Sequence, residues 1–252
     1  MLTAEDLERA LAGAGLEAPV RADEVTGSTN ATAASLAVEG APEWTLVAAG
    51  HQTAGRGRLG RSWRDRPGGA LMCSFVLRPP LSPRQAGLLT LLAGACLAEA
   101  ARSLGVGCGC KWPNDLMTPL GKAGGILAES AVEDGRLRHV VIGTGVNLGT
   151  PPPGLDGAAA LPDTEAAPLL EAYLRSFAAR YSPAAAGFAA DVIEAARATS
   201  LTLGARIEAV RAGDGEPVRG TAVDLDTEGG LVVDTGTGMV TVAFGEVLQL
   251  RR

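Results

Sequence analysis

Aromatic residues, histidine and cysteine are all scarce in this 252-residue chain. Phe, Trp and Tyr together make up 4% of the residues, and there are two histidines and four cysteines. The histidines, His51 and His139, lie far apart, and no Cys-x-x-Cys spacing occurs among the cysteines, which are Cys73, Cys96, Cys108 and Cys110. A zinc site is therefore not expected. The pattern indicates buried, reduced thiols and a cytoplasmic protein.

Positive charge is also in deficit. The chain has 22 Lys and Arg residues against 28 Asp and Glu residues, for a net charge of -6. A protein that binds DNA or RNA over a whole face is usually basic, so we expect no nucleic-acid partner. Residues 1–8 lack the basic and then apolar order of a signal peptide. No uninterrupted apolar segment reaches the roughly 18 residues of a membrane helix, so we expect no membrane partner.

Three arginines lie close together in one run, residues 55–63, which reads Gly-Arg-Gly-Arg-Leu-Gly-Arg-Ser-Trp. Glycine lets the backbone approach a ligand closely, and each arginine offers a forked, permanently charged donor that suits phosphate or carboxylate. Taken alone, such a run is typical of a solvated surface loop or of a patch that binds nucleic acid. Within an acidic protein it indicates a small anionic ligand.

The hydrophobic patterning predicts an α+β fold, with a mixed sheet and helices on one side, followed by a small β-barrel. Strands are predicted at 20–25, 44–49, 70–77, 106–111, 123–130 and 139–148, and helices from Thr3 to about 13–15 and at 31–38, 83–104, 165–181 and 184–199. Shorter strand-like runs follow at 206–210, 218–224, 230–233 and 239–243. We expect two domains, residues 1–199 and residues 200–252.

Four further segments place polar or small residues at the ends of these elements. Residues 27–30 precede a helix, where a hydroxyl or amide caps the first turn and its free N–H groups could hold a carboxylate. The run 111–115 ends a strand with a cation, a rigid turn and a carboxylate. Lys122 precedes small residues that would let a ligand lie against the strand, and the run 143–148 again brings glycines and an amide to a strand end. Singly, each segment is also typical of a turn.

Together and in this order, the segments resemble the motifs of the biotin protein ligase family. They are Gly-Ser-Thr-Asn at 27–30, His-Gln-Thr-Ala-Gly-Arg-Gly-Arg at 51–58, Lys-Trp-Pro-Asn-Asp at 111–115, Gly-Lys-Ala-Gly-Gly-Ile-Leu at 121–127 and Gly-Val-Asn-Leu at 145–148. The resemblance implies a class II synthetase-like mixed sheet, and the C-terminal region looks by pattern like that family's SH3-like β-barrel. Position 50 departs from the family, because Gly50 stands where members often have an acidic residue.

The resemblance also implies an activity. We expect ATP-dependent ligation of biotin to a specific lysine of a biotin carboxyl carrier domain, through a biotinyl-5'-AMP intermediate and with magnesium as the activating ion. Many bacterial relatives carry an N-terminal DNA-binding domain of about 60 residues, whereas about 25 residues precede Gly27 here. We therefore expect a monofunctional enzyme. Relatives associate by extending a sheet edge, so a homodimer through the strand near residues 139–143 is possible.

Roles for individual residues follow from the same resemblance. The catalytic residues are expected to be Lys122, which bridges the biotin carboxylate and the α-phosphate, with Arg58 and Asp115. Asp115 is expected to hold magnesium or to contact the incoming lysine. The expected biotin-binding residues are Ser28, Thr29, Gln52, Gly55, Arg56, Arg58, Lys122, Gly124 and Gly125. The expected nucleotide-binding residues are Arg56, Arg58, Arg61, Trp63, Asn114, Lys122 and Asn147. Trp63 would pack near the adenine, and Asn147 would contact the sugar or stabilise its own loop.

Two alternative functions stay open at this point. A lipoate ligase or octanoyl transferase of the same fold would handle a different acyl group. A transferase that forms a thioester would need a nucleophilic cysteine in the pocket and would not need the arginine-rich loop. The other alternative is a biotin- or nucleotide-sensing module that does not turn over its ligand.

Overall fold

A seven-stranded mixed sheet forms the larger part of the computed structural model, which describes residues 1–211, 216–243 and 245–249. Its strands are β1 (Val20–Thr26), β2 (Leu46–Gln52), β3 (Ala70–Leu77), β4 (Gly109–Lys111), β5 (Asp115–Thr118), β6 (Gly121–Glu133) and β7 (Arg136–Asn147). They lie in the order β1-β2-β3-β7-β6-β5-β4. β1 and β2 pair in parallel and the other neighbours are antiparallel. The mixed sheet was predicted, but β5 was missed because only four residues form it.

Most of the helices cover one face of this sheet. They are α1 (Ala4–Gly13), α2 (Thr29–Val38), α3 (Ala86–Ser103), α4 (Ala166–Arg180) and α5 (Phe188–Thr199). The main core lies under α1, α3, α4 and α5, and Phe75 of β3 there contacts Tyr173 and Phe177 of α4 with ring centroids 6.1 and 5.1 Å apart. Most of the buried apolar residues of the described chain belong to this main core.

Helix α2 lies on the opposite face, so the prediction that the helices lie on one side was wrong for this helix. Val47, Val76 and Val141 of the central strands pack there against Ala33 and Ala37 of α2 in a second, smaller core. Because alternate residues of a strand point to opposite faces, these three positions cannot join the main core. The central strands are apolar on both faces and need cover on both.

A long apolar helix crosses the main core. The segment Pro83–Ser103, which joins a short 3-10 turn to α3, is long and apolar enough to cross a membrane by length and composition alone. Most of it is buried inside the protein, with Leu88, Leu89 and Leu92 fully inaccessible. The core helix of a globular domain shows the same properties.

A five-stranded antiparallel sheet follows in the C-terminal part, where a β domain was predicted. Its strands are β8 (Arg206–Arg211), β9 (Val218–Leu225), β10 (Leu231–Asp234), β11 (Met239–Val242) and β12 (Gly245–Gln249), in the order β11-β10-β9-β8-β12. Trp112 joins the two sheets, since its backbone N–H donates to Thr202 Oγ1 at 2.9 Å and its indole N–H donates to the Gly229 carbonyl at 3.0 Å. We propose a domain boundary at residues 199–200. Residues 250–252 of the expected domain lie outside the described residues.

Candidate active site

A cavity of about 140 Å³ lies on the α2 face of the large sheet, beside the N-terminus of that helix. Most of the residues expected from sequence line it, namely Ser28, Thr29, Gln52, Arg56, Arg58, Arg61, Trp63, Asn114, Asp115, Lys122 and Gly125. Three expected residues, Gly55, Gly124 and Asn147, do not line it. The lining also includes residues to which the sequence analysis gave no individual role, among them Lys111, Trp112, Gly143, Gly145 and Glu246. The cavity thus gathers segments from both sheets.

The polar end of the cavity is formed where α2 begins. Thr29 donates from its backbone N–H and its hydroxyl to Gln52 Oε1, at 2.7 and 3.2 Å. Ser28 occupies the N-cap position, but its side chain makes no capping hydrogen bond, so the expected side-chain cap was wrong. Within the described part of the chain the Gln52 amide nitrogen has only Met72 Sδ as partner, at 3.4 Å. The Ser28 hydroxyl and the Gln52 amide group are therefore available to a ligand.

Behind this end, Asn30 ties α2 to the sheet. Its amide group donates to the Leu127 carbonyl at 3.1 Å and to Glu129 Oε2 at 2.8 Å, and its Oδ1 lies 2.7 Å from the Ser74 hydroxyl. A Cβ atom at Gly143 would lie 1.8 Å from Asn30 Oδ1, so only glycine fits there. Ser74 was missed, although it is a single hydroxyl within an otherwise apolar strand.

The arginine-rich loop folds as a hairpin over the cavity. Trp63 donates its backbone N–H to the Gly55 carbonyl at 2.9 Å, and Gly57 donates to the Arg61 carbonyl at 2.7 Å. Leu59 and Gly60 turn the tip with φ angles of 55° and 73°. A Cβ at residue 55 would lie 2.7 Å from the Trp63 carbonyl oxygen. Glycine is thus needed at position 55 for the hairpin, and the sequence prediction that it contacts biotin has no support from its position.

Each arginine of the hairpin is held by a different acceptor. Arg56 forms an ion pair with Glu129 at 3.0 Å, and Arg61 forms one with Glu246 of β12. Arg58 donates to Asn114 Oδ1 at 3.1 Å and to the carbonyl of Gly245, the residue before Glu246, at 3.3 Å. The hydrogen bond from Arg61 holds the pKa of Glu246 below its ordinary value. Because Glu129 and Glu246 are distant in sequence from the loop, no local pattern could have identified them.

Two lysines share one carboxylate on the opposite wall. Lys122 Nζ lies 2.6 Å from Asp115 Oδ1, and Lys111 Nζ lies 3.4 Å from Asp115 Oδ2. Strand pairing explains this arrangement, because β5 lies between β4 and β6 and Asp115 is directly opposite Lys111. Both oxygens of Asp115 thus face ammonium groups. Within the described part of the chain, no three metal-ligating side chains form a cluster. A role of Asp115 in holding magnesium stays a prediction.

The charge of the lining points to an anionic ligand. Five cations line the cavity against two carboxylates; they are Arg56, Arg58, Arg61, Lys111 and Lys122, with Asp115 and Glu246. This excess of three positive charges occurs in a chain of net charge -6. Fixed cations of this kind stabilise negative charge on a bound or reacting group.

The cavity is also small. Its volume is about 140 Å³, whereas cavities for small-molecule ligands commonly enclose roughly 300 Å³ or more. Trp63 contributes to the filling, since a Cβ atom at Gly145 would lie 2.8 Å from the indole ring that rests there. The indole N–H is buried without a partner in the described residues. A ligand larger than the cavity requires the hairpin to move.

Asn147 lies behind the cavity wall. Its amide group donates to the Ala159 carbonyl at 2.9 Å, and its backbone carbonyl accepts from Leu161 at 2.9 Å. These bonds agree with the second of its two expected roles, stabilisation of a nearby loop. Contact with a nucleotide sugar stays a prediction.

Comparison with known proteins gives two domain matches. Residues 23–147 match the biotin/lipoate A/B protein ligase family, and residues 202–248 match the biotin protein ligase C-terminal domain. The chain is 36% identical over 241 residues to a biotin--[acetyl-CoA-carboxylase] ligase of Mycobacterium tuberculosis, covering 90% of this chain and 87% of that protein.

Two other similarities differ in how much of each chain they cover. The bifunctional ligase/repressor BirA of Bacillus subtilis is 41% identical over 130 residues, which span 51% of this chain and only 40% of that protein. A solved structure of biotin protein ligase from Aquifex aeolicus, in complex with biotin and ATP, superposes with a TM-score of 0.72 at 24% identity, over 93% of this chain and 99% of that one. The superposition supports the fold.

The neighbouring glycines of β6 offer a matched pair for a stability test. A Cβ at Gly124 would lie 2.7 Å from the Gly145 carbonyl oxygen, whereas a Cβ at Gly125 meets nothing closer than 3.7 Å. We predict that Gly124→Ala lowers the free energy of unfolding by roughly 1–3 kcal/mol through overpacking, while Gly125→Ala leaves it unchanged or raises it by up to about 1 kcal/mol. Urea unfolding measures both values. Equal effects of the two substitutions would contradict this packing.

Proposed function

We propose that this chain, which belongs to the biotin/lipoate A/B protein ligase family, ligates biotin to a specific lysine of a biotin carboxyl carrier domain at the expense of ATP. The observation that carries the proposal is the cationic cavity, which joins a polar end at Ser28 and Gln52 to the arginine-rich hairpin. The Mycobacterium tuberculosis relative, a biotin--[acetyl-CoA-carboxylase] ligase, aligns with 90% of the chain and supports the proposal.

The chemistry explains why such a cavity is needed. A carboxylate does not acylate an amine at neutral pH, so the biotin carboxylate first attacks the α-phosphorus of ATP. Pyrophosphate leaves, and biotinyl-5'-AMP forms. The lysine amine of the carrier then attacks the activated carbonyl and displaces AMP. Negative charge develops on phosphate oxygens in the first step and on the carbonyl and phosphate oxygens in the second, and fixed cations lower the barrier to both.

The two ends of the cavity suit the two parts of biotin. The cyclic urea of biotin requires a few donors and acceptors within a small pocket, which Ser28, Thr29 and Gln52 offer. Its carboxylate would then point towards Lys122. In this arrangement Lys122 exchanges its contact with Asp115 for contacts with the carboxylate and the α-phosphate.

The same exchange applies to the hairpin. Arg56, Arg58 and Arg61 would leave their acceptors in the protein and contact the carboxylate and the phosphates. The pairs they leave are partly exposed, with side-chain accessibilities of 46% and 35% for Arg56 and Glu129. Such pairs stabilise a protein by at most about 1 kcal/mol, so a charged ligand can replace them. Closure of the hairpin over the adenylate also protects it from water.

Asp115 becomes free when Lys122 turns to the ligand. We propose that it then contacts the incoming lysine of the carrier, since it lies 15% exposed at the cavity wall beside the reacting carboxylate. We propose that magnesium enters with ATP as the counter-ion of its phosphates.

The alternative acyl transferases differ in their need for cysteine. Burial raises the pKa of Cys73, Cys96 and Cys110 to about 12, and none of the four cysteines lines the cavity. An acyl-thioester mechanism is therefore disfavoured. A lipoate ligase would use the same cations and differs only in the acyl group that fills the polar end. A sensing module would bind the ligands without turnover.

The expected homodimer needs a different sheet edge from the one proposed from sequence. Strand β7 lies between β3 and β6 at residues 140–143, so it is not an edge and that expectation was wrong. Residues 126–133 of β6 pair only with β7 among the described strands. We propose this edge as the contact of a homodimer, which sedimentation velocity tests; a monomer at all concentrations would refute it. We also propose a cytoplasmic location, given four free thiols.

The function is tested by offering one carrier domain three acids. The purified chain is incubated with ATP, magnesium and an apo biotin carboxyl carrier domain, together with biotin, lipoate or octanoate. We expect a single lysine adduct with biotin and little or none with the other acids, as seen by intact mass. Preferred transfer of lipoate or octanoate to its own carrier would replace the proposal, and binding without any adduct would support a sensing module.

Substitution of Lys122 tests the first step. We predict that Lys122→Ala lowers biotin-dependent exchange of pyrophosphate into ATP by roughly 100-fold or more, since removal of one oxyanion donor costs about 2.7–4 kcal/mol. Lys111→Ala, which removes the more distant partner of Asp115, is the matched control with a smaller loss. Thermal unfolding midpoints should stay close to wild type because the Lys122 side chain is 43% exposed. If the Lys122 variant also fails with pre-made biotinyl-AMP, the residue acts in transfer as well.

Substitution of Arg58 tests retention of the intermediate. Arg58→Gly removes a charged donor, so we predict that biotinyl-AMP leaves about 10- to 100-fold faster, as expected for roughly 1.5–3 kcal/mol. The released anhydride would acylate lysines of a bystander protein. The matched control is Arg64→Gly, because Arg64 is an exposed arginine next to Trp63 that does not line the cavity. Equal bystander labelling by both variants, with adenylate formation confirmed in each, would show that Arg58 does not retain the intermediate.

A further inference from the structure

The base of the hairpin is closed by a side chain where strand pairing stops. Strands β2 and β3 pair only from Leu46 to Ala48, with Ala48 opposite Cys73. Beyond that point β2 continues to Gln52, and the Gly50 carbonyl accepts the backbone N–H of Gly68 at 3.1 Å. At the end of β2 a side chain takes the place of strand pairing, because the Asp65 carboxylate accepts the backbone N–H of Gln52 at 3.3 Å.

His51 forms a hydrogen bond with the second oxygen of the Asp65 carboxylate. Its Nδ1 lies 2.9 Å from Asp65 Oδ2. The Asp65 side chain is 0% exposed, whereas that of His51 is 34% exposed. A carboxylate withdrawn from water needs hydrogen-bond donors, and His51 and the Gln52 N–H are those that the structure gives to Asp65. The three groups therefore form one unit that fixes residue 65 against residues 51 and 52.

This unit lies between the two parts of the proposed site. Gln52 accepts the hydrogen bonds of Thr29 at the polar end of the cavity. Trp63, two residues before Asp65, rests on β7 and closes the hairpin through Gly55. A shift of Asp65 would move both. By joining the ends of residues 53–64, the unit also lowers the entropy cost of holding the hairpin closed.

We propose that His51 and Asp65 are positioning residues for the ligase reaction, which keep the arginine-rich hairpin closed over the bound adenylate without touching it. Retention of biotinyl-AMP by the closed hairpin rests on the function proposed above. The effect of His51 and Asp65 on the position of the hairpin does not depend on that function. His51 is the residue to change, because its side chain is partly exposed and its loss leaves the buried Asp65 in place.

The test compares His51→Leu with His51→Asn. Leucine removes the donor, whereas the asparagine amide offers an N–H near the position of Nδ1. Amide hydrogen exchange is measured on the ligand-free proteins, and release of pre-bound biotinyl-AMP is measured separately. In His51→Leu we expect the hairpin amides of Gly57, Arg61 and Trp63 to exchange about 10-fold faster, the effect of losing one charge-assisted hydrogen bond. The amide of Phe75 in β3 should not change.

Release of biotinyl-AMP should accelerate about 10-fold in the same variant, with a higher KM for ATP and a nearly unchanged kcat. His51→Asn should restore both readouts to within about 2-fold of wild type. The proposal is overturned if the hairpin amides of His51→Leu exchange at the wild-type rate. It is also overturned if Phe75 exchanges faster to the same degree, since the pair would then support the whole sheet. Failure of the ligase function would instead appear as a wild-type protein that forms no adenylate.

Discussion

Pairing between the cations of the cavity and carboxylates from distant parts of the chain is the interaction on which the site depends. Asp115, Glu129 and Glu246 lie on β5, β6 and β12, and each holds a lysine or an arginine of the cavity. Without these partners, mutual repulsion of the cations would open the hairpin. Because the pairs are partly exposed, each stabilises the closed form by only about 1 kcal/mol or less. The ion pairs are thus strong enough to hold the hairpin in the ligand-free protein and weak enough for an anionic ligand to replace them.

The fold explains why the cavity lies on this face of the sheet. Four helices bury the other face in the main core, and α2 covers only the apolar part of this one. At the N-terminal end of α2 the surface of the sheet is formed by two small residues, Gly143 and Gly145. Asn30 packs against the first and Trp63 against the second. The C-terminal sheet closes the remaining side through Glu246. Both sheets are therefore needed to complete the cavity, although most of its residues belong to the first.

The site residues that could be predicted from the sequence are those that lie close together along the chain. The hairpin, the turn at 111–115 and Lys122 lie in short motifs, and the structure brings them together as expected. Glu129 and Glu246 are separated from their arginines by 73 and 185 residues, so only the folded chain shows them. From sequence, Gly55 and Gly124 were expected to contact biotin. In the structure, the close approach of backbone atoms explains why glycine is present at both positions. The position of α2 was missed because the central strands are apolar on both faces. A continuous apolar run in the sequence does not show which helix covers which face.

The most direct test of this account is a crystal structure of the chain with biotin and a non-hydrolysable ATP analogue. We expect Arg56 and Arg61 to have left Glu129 and Glu246 for oxygens of the ligands, and Lys122 to have left Asp115 for the biotin carboxylate and the α-phosphate. All three ion pairs intact, with both ligands bound and held by other groups, would contradict the exchange of partners on which the proposed mechanism rests.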